Sequence, residues 1–407
     1  MTNLEATSHG MPVTLIGHPF ATVGMGEQLR SYVAACRSVH IDFKVLDIFR
    51  YAARNDPEHR ALIEAFEVQK PGPGIRIFHV NGDEIERVIQ AFEELGGRFR
   101  DGYNIIVPAW ELPIYPAAWT AGVRKFDETW ALSNFIRKSL SAAGISSELI
   151  GQPVEVPVGP FLPRRYFGIR ESAYAMLHFF DLTSYATRKN PEAVLTMFEA
   201  LSRKRPYDHL QLVLKVKKGD EGAGDWLEEI RTRFPGACLL ANPMSALETR
   251  SLVNCCDSFI SLHRSEGFGR GTGEAMYLGR LAVATGWSGN VDYMTKSNSL
   301  LIDYKLIKVK KGDYPYSEKQ VWAEPDVGQA VNLMEKAITN PKHTAELTAA
   351  GRRDIRLSHS CRSIGLRILD RLKELSSLAP KSTATFSQRR KRKDGKQSRE
   401  HNSRHVC

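Results

Sequence analysis

The 407-residue sequence predicts an α/β protein of two domains, each built on a parallel sheet. Three observations lead there. A short apolar run, a Gly- or polar-rich loop and a helical period recur in that order along the chain. The pattern fails once, between about 151 and 165, where Pro153, Pro157, Pro160 and Pro163 stud the sequence, and then restarts. The length suits two or three domains at roughly 100–200 residues each. The expected division is 1–160, 161–340, a helical segment 341–375 and a basic tail 376–407.

In the first domain Val13–Ile16 reads as a strand, followed by a loop with Gly17, Gly24 and Gly26. A helix through about Cys36 follows, with Leu29, Tyr32, Val33 and Cys36 at helical spacing. Phe43–Leu46, Ile75–Val80, Tyr103–Val107 and Glu128–Leu132 are further strands. Ser133 reads as the N-cap of a helix that stops near Gly144. In the second domain Leu177–Asp181 is a strand, and Asn190-Pro191 reads as an N-cap and first-turn proline. Val194, Met197, Phe198 and Leu201 make one apolar helix face. Leu212–Val216, Cys238–Leu240, Ser258–Leu262 and Leu281–Thr285 are strands, with a helix ending at Gly279, and about 326–375 reads as helical. Beyond Ser376 almost nothing is apolar, so the tail is expected to be disordered.

Composition excludes several classes. Hydrophobic residues are 42% and charged residues 25%, as in an ordinary globular protein rather than a fibrous or wholly disordered one. No apolar run is long enough to cross a bilayer, and the N-terminal residues MTNLEATSHGMP lack a signal-peptide core, so a cytoplasmic protein is expected. Six scattered cysteines without a Cys-x-x-Cys pair fit a reducing compartment and no disulfide framework. Neither His-Glu-x-x-His nor Asp-x-Asp occurs, so no protein-built metal site is expected. Of the net charge of +10, the last 27 residues supply +7 (nine Lys/Arg against two Asp/Glu). The run Arg389–Lys393 is a solvated extension or an attraction to anionic lipid at the inner face of a membrane. With no aromatics among those charges, nucleic acid is not an expected partner.

The most informative segment is Ser265-Glu-Gly-Phe-Gly-Arg-Gly-Thr-Gly-Glu274. It follows a predicted parallel strand and opens a helix, which is the ligand edge of an open α/β sheet. Its four glycines allow close backbone approach, and the helix N-terminus favours phosphate. Glu266 and Glu274 bracket it, and carboxylates accept hydrogen bonds from vicinal hydroxyls. The plainer alternative is a structural Gly-rich turn with a capping Glu.

This segment resembles the Glu-x7-Glu motif of retaining glycosyltransferase family 4, of GT-B fold. SEGFGRGTGEAMYLGRLAVATGWSGN (Ser265 to Asn290), FFDLTSYATRKNP (Phe179 to Pro191) and Gly24-Met-Gly-Glu27 all share in the resemblance. It implies two Rossmann-like domains facing across a cleft, with C-terminal helices crossing back to the first domain. It further implies that Glu266 holds the donor sugar and Glu274 the nucleotide ribose. Gly267, Phe268 and Gly269 would lie beside the sugar and diphosphate, and Gly24 and Gly26 would face the diphosphate. Lys189 matches the phosphate-binding lysine. The arginine commonly found five residues before it is replaced by Ser184, which leaves Arg188 or Lys215 to supply the second positive charge.

Weaker candidates sit at other predicted strand ends. Trp110-Glu111 resembles a Trp-Glu of some family members; Trp offers a sugar-stacking plane and Glu111 a hydroxyl acceptor or base, unless both are packing. His79 and Asn81 are acceptor-side candidates, and His18 lies in the first loop. Asn290 is a candidate donor contact, Asp292 has no clear role, and Trp322–Asp326 is as compatible with packing as with chemistry. The resemblance implies transfer of a hexose-type sugar, with retention, from a nucleotide sugar to a glycan or lipid-linked acceptor in surface-polysaccharide synthesis. GDP-mannose is the favoured donor, with UDP-sugars open and no cofactor or metal required. The alternatives are an epimerase or phosphorylase on the same fold, or a non-catalytic nucleic-acid or membrane binder.

Overall fold

The computed structural model describes residues 11–50, 52–182, 185–205, 209–217 and 223–378. The tail, with Arg389–Lys393, and Ser184 lie outside the described residues. In the first domain the elements are β1 (Val13–Gly17), α1 (Gly24–Ser38), β2 (Phe43–Asp47), α2 (Pro57–Ile63), β3 (Ile75–Phe78), α3 (Ile85–Glu94), β4 (Tyr103–Ile106), α4 (Ala117–Val123), β5 (Glu128–Ala131), α5 (Asn134–Ala142) and β6 (Glu148–Leu149). They form a parallel sheet of order β2-β1-β3-β4-β5-β6. The inner strands β1 and β3 are buried on both faces, which is why they read as apolar runs.

The second domain holds β7 (Tyr174–Asp181), α6 (Ala186–Lys189), α7 (Pro191–Lys204), β8 (Leu210–Lys217), α8 (Ala223–Arg233), β9 (Cys238–Leu240), α9 (Ala246–Cys255), β10 (Ser258–Ser261), α10 (Arg270–Tyr277), β11 (Leu281–Thr285) and β12 (Leu300–Ile302). Its parallel sheet runs β12-β11-β10-β7-β8-β9, the doubly wound order whose direction reverses between β7 and β10. An antiparallel pair, β13 (Tyr304–Lys308) and β14 (Val321–Pro325), follows. Three helices are the last elements among the described residues: α11 (Val327–Thr339), α12 (Pro341–His359) and α13 (Cys361–Leu378). No helix among the described residues is long and apolar enough to cross a membrane.

The helical stretch after 326 is thus broken twice, once where Asn340 caps α12 through Oδ1 and His343 N, and again at Ser360. Asn190 stands before Pro191 but its side chain makes no cap bond, because its backbone is left-handed (φ +54°). The pair β13–β14 has no counterpart in the sequence reading. Strand β13 is exposed throughout and lacks the apolar run on which that reading relied.

Two segments tie the domains together. Ile364, Ile368, Leu369, Leu372 and Leu375 of α13 join the core formed by Leu29, Tyr32, Val33 and Cys36 of α1. At Gly365 a Cβ would come 2.5 Å from Ala35 O, so only glycine permits this helix contact. Arg371 clasps Glu128 at the start of β5 bidentately, at 2.9 and 3.0 Å. Val309, Tyr314 and Trp322, from around the β13–β14 pair, join the same first-domain core.

Candidate active site

The reversal between β7 and β10 leaves a crevice at the carboxyl ends of the strands, and two loops meet there. After β7 the chain makes a single helical turn, α6, between the left-handed residues Tyr185 (φ +52°) and Asn190 (φ +54°). That turn presents Arg188 and Lys189. After β10 the chain enters the loop that carries Glu266. Lys189 Nζ contacts Glu266 Oε1, and Arg188 Nη1 lies 3.2 Å from Oε2. Arg188 Nη1 also donates to Ser265 O at 2.9 Å, while its carbonyl accepts from Arg264 N at 2.8 Å. The two loops are therefore locked together by side chain and backbone.

Burial pushes the Glu266 carboxyl up, but the Lys189 and Arg188 charges outweigh it and hold the group well below the usual carboxylate range. Burial pulls the Arg188 guanidinium down, and Glu266 with Glu111 more than restores it. Arg188 Nε and Asn190 Nδ2 are buried donors with no hydrogen-bond partner. Native structures seldom leave such donors unsatisfied. Both flank Lys189, so this turn carries two cations and two unused donors.

A third loop, Ser288–Asn290 after β11, braces Glu266 from behind. Ser288 Oγ accepts from Glu266 N at 2.8 Å, and Gly289 N donates to Glu266 O at 2.9 Å. Ser288 holds φ +78° and ψ −145°, a region that side chains avoid. A Cβ on Gly289 would stand 2.1 Å from Gly267 O. Asn290 is fully buried and donates to Thr285 O at 2.9 Å, so it shapes the loop. Phe268 packs on Tyr293 and His359, and Gly269 (φ +86°) turns the chain into α10.

Glu274 lies in the second turn of α10, because the helix starts only at Arg270. Arg270 Nε donates to Glu274 Oε1 at 2.6 Å, and Arg270 Nη2 lies 2.8 Å from Glu27 Oε1. Its Nη1 donates to Pro153 O at 3.1 Å. Burial leaves Glu274 with a raised pKa despite that partner. For Glu27, Arg270 and Arg30 overcome the burial that would raise it and bring its pKa down to about 2. Lys215 stands on β8 with Nζ 5.3 Å from the Phe179 ring centroid, and burial lowers its pKa. Arg188, rather than Lys215, is the cation that joins Lys189 on Glu266. Gly24 is exposed at the start of α1, and Gly26 is pressed against Ala21 O and His18 O.

The first domain meets these loops directly. Ser133 Oγ donates to Gly267 O at 2.5 Å, and Ser265 Oγ donates to Glu111 O. Asp292 Oδ2 accepts from Asn134 N, the first residue of α5, at 2.6 Å. Glu111 Oε2 accepts from Tyr314 Oη at 2.5 Å, and Arg188 sits 5.8 Å from the Tyr314 ring centroid. Trp110 is 2% exposed, packed among Tyr115, Trp119 and Tyr314, with Nε1 donating to Ile114 O. It offers no open stacking plane. His79 is also fully buried, beside Gln28 and Tyr32, and burial drops its pKa to about 3. Asn81 N donates to Glu84 Oε2, and His18 Nε2 lies 2.9 Å from Glu84 Oε1. Trp322 is core, Glu324 pairs with Arg264, and Asp326 caps α11.

The structure thus gathers Lys189, Arg188 and Glu266 into one cluster. It sets Glu274 with Arg270, and Glu111 with Tyr314, nearby. Sequence reasoning missed Arg270, Asn190 and Tyr314. Arg270 lies inside the motif but reads as one more loop residue, and nothing local marks Tyr314.

No protein-family model matches the chain, and no curated protein matches it. Solved structures do. Sucrose-phosphate synthase of Thermosynechococcus elongatus superposes with a TM-score of 0.64 at 13% identity, over 90% of this chain and all of that one. A glycosyltransferase of Rickettsia africae gives 0.63 at 12% identity, over 91% and 100%. HepE of Anabaena, solved with UDP and glucose, gives 0.60 at 13% identity, over 90% and 100%. The chain has the GT-B fold: two parallel-sheet α/β domains meeting at the carboxyl ends of their strands.

Proposed function

We propose that the chain is a glycosyltransferase whose donor is a nucleoside-diphosphate sugar bound at the β7/β10 crevice. The observation that carries this reading is the α6 turn. Arg188, Lys189 and the unpartnered Arg188 Nε and Asn190 Nδ2 gather positive charge and free donors at one sheet edge. Glu266 is the shared counter-ion of both cations and leaves one positive charge unbalanced between them. A diphosphate would replace it as their counter-ion and release Glu266 to accept from sugar hydroxyls. As the anomeric C–O bond breaks, negative charge grows on the departing diphosphate, and Lys189 and Arg188 would stabilise it there. Glu274 would take the ribose once Arg270 shares it. The Glu111–Tyr314 pair would face the acceptor.

Within this reading the sugar is of hexose type, transferred with retention to a glycan or lipid-linked acceptor in surface-polysaccharide synthesis. GDP-mannose and UDP-hexose donors are separated by experiment. Purified protein is heated with GDP, UDP, dTDP or ADP, with and without Mg²⁺, since binding to the folded state raises the melting temperature. We expect one nucleotide to stabilise the chain and Lys189→Ala to lose the shift. If no nucleotide stabilises it, the reading fails.

A further inference from the structure

Strand β13 is an outer strand with no buried side. All five residues, Tyr304–Lys308, are exposed, while its partner β14 buries Trp322 and Ala323 against the body. Tyr304 and Leu306 share one face of the strand and are 36% and 50% exposed. Lys308 shares that face, Lys305 lies on the opposite one across from Glu324 of β14, and Lys310 and Lys311 follow in the next turn; all four lysines are exposed. Among the described residues none of these four lysines is in an ion pair. No acidic residue falls between Tyr304 and Lys311.

We propose that β13 and the turn after it seat the protein on an anionic lipid bilayer. Tyr304 and Leu306 would enter the headgroup boundary while Lys308, Lys310 and Lys311 meet the lipid phosphates. The chemistry favours lipid over nucleic acid, because an exposed Leu beside Tyr gains nothing in a phosphate-lined groove but is suited to the interface. Compact lysine ammoniums match a diffuse negative surface and need no bidentate geometry. The location is also informative. The Tyr304 ring centroid lies 5.4 Å from that of Trp287, the planes tilted by 54°, next to the Ser288–Asn290 loop that hydrogen-bonds Glu266. The segment leaving β13 then delivers Tyr314 to Glu111. A bilayer held by β13 would lie beside the interdomain crevice. The surface is separate in sequence from the basic tail, and the proposal does not depend on the transfer reading.

The test is vesicle co-sedimentation of the full-length chain with phosphatidylcholine alone or mixed with phosphatidylglycerol. Wild type is expected on the anionic vesicles only. Each lysine near the surface contributes about fivefold in partitioning, so Lys308→Gln/Lys310→Gln/Lys311→Gln should lose roughly a hundredfold. Leu306→Ser should lose a further few-fold, with melting temperatures unchanged in both variants. If the triple variant partitions like wild type, the tail carries any binding and the proposal falls. It falls equally if wild type ignores anionic vesicles. Variants that lose self-association in sedimentation velocity while keeping vesicle binding would make β13 a contact between copies and overturn it.

Discussion

Glu27 Oε1 and Arg270 Nη2 sit 2.8 Å apart, joining the first turn of α1 to the first turn of α10 across the two domains. Arg270 serves two carboxylates at once: without it Glu274 loses its ion-pair partner, while Glu27 keeps only Arg30. Arg270→Ala is therefore expected to cost more stability than Glu27→Gln. A double-mutant cycle should return a coupling of about 0.5–3 kcal/mol. Chemical denaturation of the four proteins measures it, and additive effects would mean that the pair does not link the domains.

Glu266 and Lys189 should separate binding from turnover. Lys189→Ala removes a charged donor and should weaken nucleoside-diphosphate binding by about 10–100-fold. Glu266→Gln removes the resident counter-ion, so binding should hold or tighten while transfer falls by roughly a hundredfold. Calorimetric titration beside a transfer assay reads both. Weaker diphosphate binding in Glu266→Gln would contradict the counter-ion role.

Gly289 and Gly24 make a matched pair for stability. A methyl at Gly289 would collide with Gly267 O and force the Glu266 loop outward, so Gly289→Ala should cost about 1–3 kcal/mol. A methyl at Gly24 meets nothing, and Gly24→Ala at the start of α1 should be neutral or stabilise by about 0.4–1 kcal/mol. Thermal unfolding of both variants decides it, and equal melting temperatures would show that the loops give way freely.

Buried histidines make the fold acid-sensitive before its carboxylates titrate. Burial lowers His79 to about 3 and His178 and His359 to about 4. In the unfolded chain each binds a proton near pH 6.5. Below that pH the unfolded state holds more protons, so stability is full above about 6.5 and declines as pH falls. Each histidine contributes a slope of at most about 1.4 kcal/mol per pH unit. Urea midpoints at pH 7 and 5.5 test this, and a flat midpoint would show that these rings are not held neutral.

The alternation of apolar run, loop and helical period marks nearly every sheet strand, because parallel strands buried on both faces have a strong local signature. Glu266, Arg188 and Lys189 were legible for a related reason. The order of strands brings residues after β7 and β10 together; both segments carry charge and a helix start, and the one after β10 is also rich in glycine. Other features depend on what arrives from far along the chain. His79 and Trp110 follow strands β3 and β4, yet Gln28, Tyr32 and an aromatic cluster bury them. Arg270 acquires meaning only when Glu27, 243 positions earlier, reaches it. Strand β13 shows no period because neither of its faces is buried.

The return of α13 to the first domain has a consequence for synthesis. On the ribosome, Leu29, Tyr32 and Val33 emerge long before Ile364, Ile368 and Leu372, which complete the same core. Domains ordinarily fold in the order they emerge. Here the first-made domain stays unfinished until α13 emerges, after the second has its own sheet complete. A message truncated before α13 would yield a nascent chain with an open apolar groove along α1, a natural substrate for chaperones and proteases.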